Sequence, residues 1–313
     1  MPRSAFSRSA PSRGKRRFDD DESSYAKRDR HRPRLVAEDA HDAVDGVVDG
    51  DRWSTWDQSS PTERGPVPHP QWLVTELAAT DTELGILKTG KEADVFLLRR
   101  GVPGTDRSCL LAAKRYRSAE HRQFHRDAEY LDGRRVRESR VNRAMAGRTA
   151  VGRELIAEQW AIAEFAALCQ LHLVGVPVPY PVQILGTEIL LEFIGDPDGI
   201  AAPRLAETRP SAGELVSLWD QLVTMLRTMA GLGLAHGDLS AYNLLVHDGR
   251  IVMIDLPQVI DVIAHPRGAE FLERDAANVT RWFIARGLRD YPGTLPLDPD
   301  DLLPDLRYEA RLD

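Results

Sequence analysis

The chain has 313 residues, 42% of them hydrophobic, and a formal net charge of −7, which suits two domains or one two-lobed domain with a tail. The acidic balance argues against bulk non-specific binding to nucleic acid, and only two cysteines, Cys109 and Cys169, exclude a disulfide framework and a Cys–His zinc motif. No apolar run approaches the roughly 18 residues of a membrane span and no hydrophobic stretch follows the Arg-rich start, so we expect a reducing, cytoplasmic setting and no membrane contact.

The first segment, residues 1–70, is predicted to be a disordered charged tail. It contains only eight Leu, Ile, Val or Phe residues, too little apolar surface to offset the entropy of ordering it. Six Arg or Lys and no acid lie in residues 1–18, whereas eight acids and one Arg lie in residues 36–63. The alternative interpretation is a basic arm that contacts RNA or an acidic partner. We expect order to begin near Gln71.

Residues 71–195 are predicted to form a sheet-rich lobe. Alternating apolar residues bounded by glycines indicate strands, and one longer periodic segment indicates a helix. The predicted elements are a strand, a Gly turn and a second strand over 81–98, a strand from Cys109 to Tyr116, a helix over 153–172, and two short strands around Gly186 within 182–194.

Residues 196–290 are predicted to form a mostly helical lobe, with a C-terminal tail over 291–313. Because strands and helices are segregated along the chain, we predict an α+β fold in which a small sheet-rich lobe precedes a helical lobe. The elements predicted here are a long helix that the capping box Ser211–Glu214 opens and that ends near Gly231, two short strands over 243–255 that turn at Asp248-Gly249, and a last helix over 268–286.

The stretch His236-Gly-Asp-Leu-Ser-Ala-Tyr-Asn243 has residues suited to phosphoryl transfer. Asp238 is placed to accept the proton of an incoming hydroxyl, and Asn243, five residues later, to bind a metal ion on the phosphates. This spacing alone arises by chance in many proteins.

Asp255 ends the apolar run Ile251-Val252-Met253-Ile254, which indicates a buried strand. A carboxylate at that point is costly unless it is paired or bound to a cation, and Mg²⁺ on nucleotide phosphates is the natural partner. The alternative is a strand-ending aspartate that caps a turn.

Lys114 and Glu164 are predicted to pair. Lys114 closes an apolar strand, and lysine is rarely buried without a partner. At 100° per residue, Glu164 falls in the centre of the apolar helix face that Trp160, Leu168 and Leu171 share. A lysine oriented by a glutamate is a device that kinases use to hold phosphates. The alternative is a partly exposed glutamate at the end of an amphipathic face.

With these residues in place, the chain resembles the RIO family of atypical serine/threonine protein kinases, closest to the RIO one-like subfamily. The resemblance spans about 75–290, and its strength lies in seven stretches in the right order. They are Thr89-Gly-Lys-Glu-Ala-Asp-Val95, Lys114-Arg-Tyr116, Trp160-Ala-Ile-Ala-Glu164, Leu191-Glu-Phe-Ile-Gly195, His236–Asn243, Ile254-Asp-Leu-Pro-Gln258 and His265–Asp275.

The resemblance implies a bilobal kinase-like fold whose reduced helical lobe lacks the activation segment and the peptide-docking subdomains. It implies ATP as cofactor, with Mg²⁺, or alternatively Mn²⁺, as the cation. The implied roles are catalysis for Asp238, Lys114 and Asp255, metal binding for Asn243 and Asp255, and nucleotide binding for Thr89, Gly90, Lys91, Glu92, Val95, Lys114, Glu164 and the hinge from Glu192 to Ile194.

The resemblance also bears on the activity. In this family the aspartate at the position of Asp255 can itself take the phosphoryl group, which gives an ATPase-like cycle. We therefore expect an autophosphorylating kinase or an ATPase with an unknown protein substrate. Small ribosomal subunit maturation and a contact with rRNA are further implications by analogy.

Three features depart from or extend the family pattern. Asp94 stands where Asn is commoner and would add negative charge near the phosphates. Gly237 stands where many protein kinases have Arg. Residues 115–153 hold eleven Arg against five acids and are predicted to be a basic flexible loop, which either gates the cleft, touches rRNA phosphates or is simply solvated.

Two other function classes stay open from the sequence. Small-molecule kinases of the aminoglycoside or choline type share the His-Gly-Asp pattern, but only about 58 residues follow Asp255, few for the large acidic lobe they use. A nucleotide-sensing scaffold is the other, although such proteins normally lose at least one residue of the catalytic set.

Overall fold

The computed structural model of the protein describes residues 51–117, 150–288 and 297–312. They form a sheet-rich N-lobe followed by a C-lobe built mainly from helices, so the predicted bilobal α+β architecture is confirmed. The first 50 residues of the predicted tail and most of the predicted basic loop lie outside the described residues. Within the described ranges, no helix is both long enough and apolar enough to cross a membrane.

The N-lobe is a six-stranded antiparallel sheet with the strand order β1-β2-β3-β4-β6-β5. Helix α1 packs on β4, β5 and β6 through an apolar layer that includes Trp160 and Phe165. The elements of this lobe are β1 (Asp51–Trp53), β2 (Thr80–Thr89), β3 (Ala93–Gly101), β4 (Ser108–Tyr116), α1 (Ala150–Leu173), β5 (Pro181–Leu185) and β6 (Glu188–Glu192).

The expectation that order begins only near Gln71 is wrong for residues 51–70. Strand β1 pairs with β2, and the Trp56 side chain is 5% exposed in the core beneath the sheet. The low apolar count of this segment is misleading because one large aromatic side chain supplies much of the buried area. Residues 54–69 form what we call the N-terminal strap.

The N-terminal strap runs to the far edge of the sheet. Gly65 donates its backbone N–H to the carbonyl of Val182 on β5 at 3.0 Å, and the Tyr180 hydroxyl donates to the carbonyl of Pro66 at 2.7 Å. A Cβ atom at position 65 would lie 1.8 Å from the Pro181 carbonyl, so only glycine permits this approach. Together with β1, the strap contacts both edges of the sheet.

In the C-lobe, helices pack around two short antiparallel pairs of strands, one of which is a hairpin. The predicted capping box is confirmed, since the backbone N–H of Ser211 donates to Glu214 Oε2 at 2.8 Å. The predicted turn at Asp248-Gly249 is also confirmed, with positive φ at both residues. The elements are α2 (Ala212–Gly231), β7 (Leu234–Ala235), β8 (Leu244–His247), β9 (Arg250–Met253), β10 (Ile260–Asp261), α3 (Gly268–Ala285) and α4 (Leu302–Glu309).

The C-terminal residues are not a tail in the part that the structure describes. Helix α4 packs on α2 and α3 and fully buries Leu302 and Leu306, so α3 is not the last helix as the sequence suggested. Arg227 on α2 holds Asp305 with two hydrogen bonds of 2.6 and 2.7 Å. A helix of eight residues carries too short an apolar pattern to be recognised without its packing partners.

The N-terminal strap yields a prediction about stability. Trp56→Ala should lower the free energy of unfolding by about 3–5 kcal/mol, because it removes a large buried aromatic side chain. Urea denaturation followed by circular dichroism measures this. Trp53→Ala is the matched control, because Trp53 is 52% exposed and should cost about 1 kcal/mol or less. Equal losses in the two variants would contradict the packing described for the strap.

Candidate active site

A buried cluster of three charged side chains lies between the lobes. The Lys114 ammonium donates to Glu164 Oε1 at 2.7 Å and to Asp255 Oδ1 at 2.8 Å. Lys114 comes from β4, Glu164 from α1, and Asp255 from the segment after β9. The predicted Lys114–Glu164 pair is therefore present, and the structure adds Asp255 as the second carboxylate on the same ammonium.

Glu164 is the centre of this cluster. It is 1% exposed, and besides Lys114 it accepts hydrogen bonds from the Tyr116 hydroxyl at 2.5 Å and the Leu256 backbone N–H at 3.1 Å. These three donors satisfy the hydrogen-bonding capacity of a carboxylate that is buried away from water. These donors explain why a glutamate can lie on the apolar face of α1, as the helix periodicity indicated. Tyr116, which the sequence analysis did not assign a role, completes the set.

The charges of the cluster shift one another's pKa values. Burial alone would lower the pKa of the Lys114 ammonium, but the charges of Asp255 and Glu164 outweigh burial and raise it. The Lys114 charge lowers the pKa of Asp255 well below its usual range, against the effect of burial. Burial, followed by the Glu164 charge, raises the pKa of Tyr116. The Lys114 ammonium and the Asp255 carboxylate therefore stay ionised at neutral pH.

The loop that carries Asp238 and Asn243 is held by its own side chains. The Asn243 amide donates to the Asp238 carbonyl at 2.9 Å, and the Asn243 carbonyl accepts from the backbone N–H of Ile254 at 2.9 Å. The second bond ties this loop to the strand end that bears Asp255. The structure thus brings the three predicted residues Asp238, Asn243 and Asp255 into one region, and the Asn243 amide oxygen is the atom suited to a cation.

Asp275 on α3 is a functional residue whose role the sequence analysis missed. Its carboxylate is 2% exposed and accepts from the backbone N–H groups of Gly237 at 2.7 Å and Leu239 at 2.9 Å, on either side of Asp238. Asn278 adds a bond to the Leu239 carbonyl at 3.1 Å. A signal existed, because Asp275 falls on the apolar face of its helix as Glu164 does.

Gly237 explains one departure from the protein-kinase pattern. Its φ is +84°, and a Cβ atom there would lie 2.3 Å from the carbonyl oxygen of Gln258. The segment after Asp255 passes so close to the loop that an arginine has no room at this position. The close approach leaves the Asp275 carboxylate and the Arg274 guanidinium as the groups that bind the Gly237 backbone.

The predicted phosphate turn lies between β2 and β3. Gly90 closes it by donating to the Ala93 carbonyl at 2.9 Å, and the Arg117 N–H donates to the Glu92 carbonyl at 2.9 Å. Asp94 does not add charge beside the phosphates as the sequence suggested, because its carboxylate is paired with the Arg117 guanidinium at 2.6 Å. The nucleotide contacts assigned to Thr89, Gly90, Lys91, Glu92 and Val95 stay predictions.

The predicted hinge follows β6. The Glu192 carboxylate accepts from the backbone N–H of Tyr180 at 3.0 Å, and burial raises the pKa of Glu192. The backbone N–H of Ala202 donates to the Ile194 carbonyl at 2.9 Å. These bonds fix the course of the connector between the lobes, and the adenine contact of Glu192 to Ile194 stays a prediction.

The side chains present fit a nucleotide with a divalent cation. Asp255 is 35% exposed at its side chain, is ionised, and uses only Oδ1 on Lys114. One carboxylate and the amide oxygen of Asn243 match the habit of Mg²⁺, which takes one or two protein oxygens and completes its shell with phosphates and water. Across the described ranges, no group of three or more His, Cys, Asp and Glu residues could hold a metal ion by itself.

Comparison with known proteins gives consistent matches. The family model described as RIO domain matches residues 104–292. The RIO-type serine/threonine-protein kinase Rio1 of Haloferax volcanii is 33% identical over 203 residues, covering 65% of this chain and 63% of that protein. The serine/threonine-protein kinase RIO1 of Caenorhabditis elegans is 34% identical over 205 residues, covering 65% of this chain and 37% of that protein.

A solved structure, the Rio2 kinase from Chaetomium thermophilum, is 21% identical, with a TM-score of 0.46 over 73% of this chain and 72% of that chain. The chain spans only 37–63% of the length of the Haloferax and Caenorhabditis relatives.

The ion cluster yields a prediction with a definite sign in pH. The folded-state pKa of Asp255 is lowered by Lys114, so the stability it contributes is present above its unfolded pKa of about 3.9 and is lost as the pH falls through the folded pKa. In Lys114→Met, Asp255 faces the Glu164 carboxylate without a cation, and its pKa rises above the unfolded value. The variant should then lose stability as the pH rises from about 5 to about 7.

Urea denaturation of wild type and Lys114→Met at both pH values measures this difference. We expect a deficit of about 3–5 kcal/mol at neutral pH that shrinks on acidification. Lys91→Met, which removes an exposed lysine, is the control and should show little deficit at either pH. A Lys114→Met deficit that does not depend on pH would contradict the charge pairing.

Proposed function

The chain belongs to the RIO family, and from this premise we propose that it is an ATP- and Mg²⁺-dependent atypical kinase that transfers phosphoryl groups to Ser or Thr hydroxyls, including its own. The observation that carries the proposal is the Lys114–Glu164–Asp255 cluster, which stands beside the loop of Asp238 and Asn243. Phosphoryl transfer requires little more than positioning and charge stabilisation, and these five residues offer both.

Each residue has a role that follows from its surroundings. Lys114, held in place by two carboxylates, is oriented to neutralise phosphate oxygens. Asp255 and Asn243 would hold the cation, which when bound supplies positive charge to the β- and γ-phosphates. Asp238 accepts the proton of the attacking hydroxyl as that oxygen bonds to the γ-phosphorus and ADP leaves.

Asp255 has a second role open to it. As a nucleophile, its carboxylate oxygen would bond to the γ-phosphorus while ADP leaves, and water would later cleave the acyl phosphate. The φ of Asp255 is +67°, an uncommon conformation for a residue other than glycine. Such strain is often found at catalytic positions. This role would make the protein an ATPase rather than a kinase of other chains.

The segment that follows Asp255 in the C-lobe is short. Only residues 256–267 connect Asp255 to α3, and they are fixed by the β7–β10 pair and by the Val262 N–H, which donates to the Gly233 carbonyl at 2.8 Å. This short connector leaves no room for an activation segment, as the resemblance implies. A partner in small ribosomal subunit maturation, which the family suggests, is part of the proposal on analogy alone.

Intact mass after incubation with Mg-ATP tests the proposal. Wild type should acquire a phosphoryl adduct that survives hydroxylamine, and Asp238→Asn should acquire none, because the hydroxyl then has no base to accept its proton. Asp255→Asn should lose the adduct as well, because it removes the charged ligand of the cation. Asp248→Asn, at an exposed turn in the C-lobe, is the control and should behave as wild type.

The other outcomes are equally informative. An adduct that hydroxylamine removes, absent only in Asp255→Asn, would mean an aspartyl phosphate and an ATPase cycle. The absence of an adduct in every sample, wild type included, would favour a small-molecule kinase or a nucleotide-sensing scaffold.

A second prediction concerns Asp275, a positioning residue. Asp275→Ala leaves the Gly237 and Leu239 N–H groups without their acceptor, so Asp238 loses its fixed position and kcat should fall about 10–100-fold. Affinity for ATP should change little, and Asp275→Asn, which keeps one acceptor oxygen, should recover part of the rate.

Steady-state kinetics and nucleotide titration together check this expectation. Glu273→Ala on the same helix is the control, because Glu273 is half-exposed and pairs with Arg307 at the surface. A loss of ATP affinity as large as the loss of kcat would show that Asp275 supports the lobe as a whole and not the loop.

A further inference from the structure

A second lysine, Lys88, stands on the same face of the sheet as Lys114. Lys88 is paired in register with Val95, and Val95 with Lys114, across three neighbouring antiparallel strands. Residues directly opposite each other in such strands project to the same face. With strands about 4.8 Å apart, the two lysine Cα atoms lie roughly 10 Å from each other on the face where the ion cluster is formed.

A β-bulge aims Lys88 into the cleft. Ile86 pairs with Phe96 and Lys88 pairs with Val95, so Leu87 is an extra residue in β2. Ile86 and Lys88 are two positions apart and would share a face in a regular strand. The bulge instead places Ile86 on the face of Phe96, and it places Lys88, whose side chain is exposed to solvent, on the face of Val95 and Lys114. A bulge changes the face of the sheet on which the following side chains lie, and this one changes the face on which Lys88 lies.

Both cations and carboxylates lie near Lys88, but neither carboxylate pairs with it. Its pKa is lowered, first because protein atoms desolvate the ammonium and then because the Arg204 guanidinium is near, while Asp255 opposes this shift. Within residues 51–117, 150–288 and 297–312, Lys88 has no ion-pair partner. The exposed Lys88 ammonium thus lies near the ion cluster and near Arg204 without an ion-pair partner of its own among the described residues, so an anionic ligand can bind it.

Arg204 contributes from the opposite lobe. Its guanidinium donates to the Tyr242 carbonyl in the loop between Asp238 and Asn243, and its backbone forms a bridge with Leu245 on β8. Lys88 therefore approaches from the N-lobe sheet and Arg204 from the C-lobe loop.

The ion cluster itself cannot neutralise a triphosphate. One ammonium, Lys114, faces the two carboxylates of Glu164 and Asp255, which leaves the cluster with a net negative charge. A nucleotide polyphosphate brought to this cluster would meet repulsion unless other cations share the site. Besides a divalent ion, Lys88 and Arg204 are two cations of the described residues that lie near this cluster.

From this geometry we propose that Lys88 is a phosphate-binding residue of the nucleotide site and acts with Arg204 of the facing lobe. The inference rests on the proposed function, since it assumes that a nucleotide polyphosphate binds between the lobes. It adds a ligand that neither the turn pattern nor the ion cluster assigned.

Titration with adenosine, ADP and ATP, each with Mg²⁺, tests the proposal by calorimetry. Lys88→Gln should weaken ATP binding by about tenfold or more, because it removes a charge-assisted hydrogen bond to phosphate. ADP should be affected less, and adenosine by no more than about twofold. Lys88→Arg, which keeps the charge, should retain most of the ATP affinity. Adenosine binding reports that the cleft is intact in each variant.

Arg107→Gln is the matched control, because it removes one positive charge from the same lobe at a side chain that is 58% exposed and paired with Glu76. It should bind all three ligands as wild type does. Unchanged ATP affinity in Lys88→Gln, or an equal loss for adenosine, would overturn the role of Lys88 while the proposed function stands. Wild type that binds none of the three would overturn both.

Discussion

The structure depends on one buried cation, the Lys114 ammonium. Among the described residues, the two ion pairs of Lys114 are the only ones that join a strand of the sheet both to helix α1 and to the strand end of the C-lobe. Burying two carboxylates and an ammonium costs several kcal/mol for each ion, and mutual pairing with additional donors offsets that cost. The Tyr116 hydroxyl and the Leu256 N–H are those additional donors, so the cluster defines how helix, sheet and strand end meet.

A second constraint lies in the loop that carries Asp238. Its backbone is bound from one side by Asp275 and from the other by Asn243, so neighbouring side chains fix the position of Asp238. Such preorganisation reduces the reorganisation that the reaction would otherwise require. Two buried acids on two helices, Glu164 and Asp275, therefore have parallel duties: one orients a cation and the other orients a backbone.

Much of this could be predicted from the sequence, because the relevant signals are local and periodic. The place of Glu164 on an apolar helix face required a cation, and Lys114 at the end of an apolar strand required an anion. The capping box at Ser211 and the turn at Asp248-Gly249 are motifs within four residues, and both are present. The seven stretches that resemble the RIO family also indicated the order of the strands and helices along the chain.

What the sequence could not supply depends on long-range packing. Trp56 is buried by strands that come later in the chain. A count of apolar residues in a segment does not show that one large aromatic side chain is buried against the rest of the fold. Helix α4 is stable because α2 and α3 cover it, not because its eight residues have a strong pattern. One extra residue in β2 changes the face on which Lys88 projects. The apolar–polar alternation of this strand is too short for the bulge to be recognised from the sequence.

The N-terminal strap has a consequence for recognition. Edge strands offer unpaired N–H and C=O groups on which extended peptides or other chains add as further strands. At one edge of this sheet, Arg64 and Gly65 already occupy the β5 groups of Gln183 and Val182, and at the other the edge strand β1 has three residues in the described part of the chain. In the described N-lobe, few edge N–H and C=O groups therefore remain free to pair with an added strand. This protects the lobe from edge-to-edge aggregation, and it means that a partner is recognised through side chains.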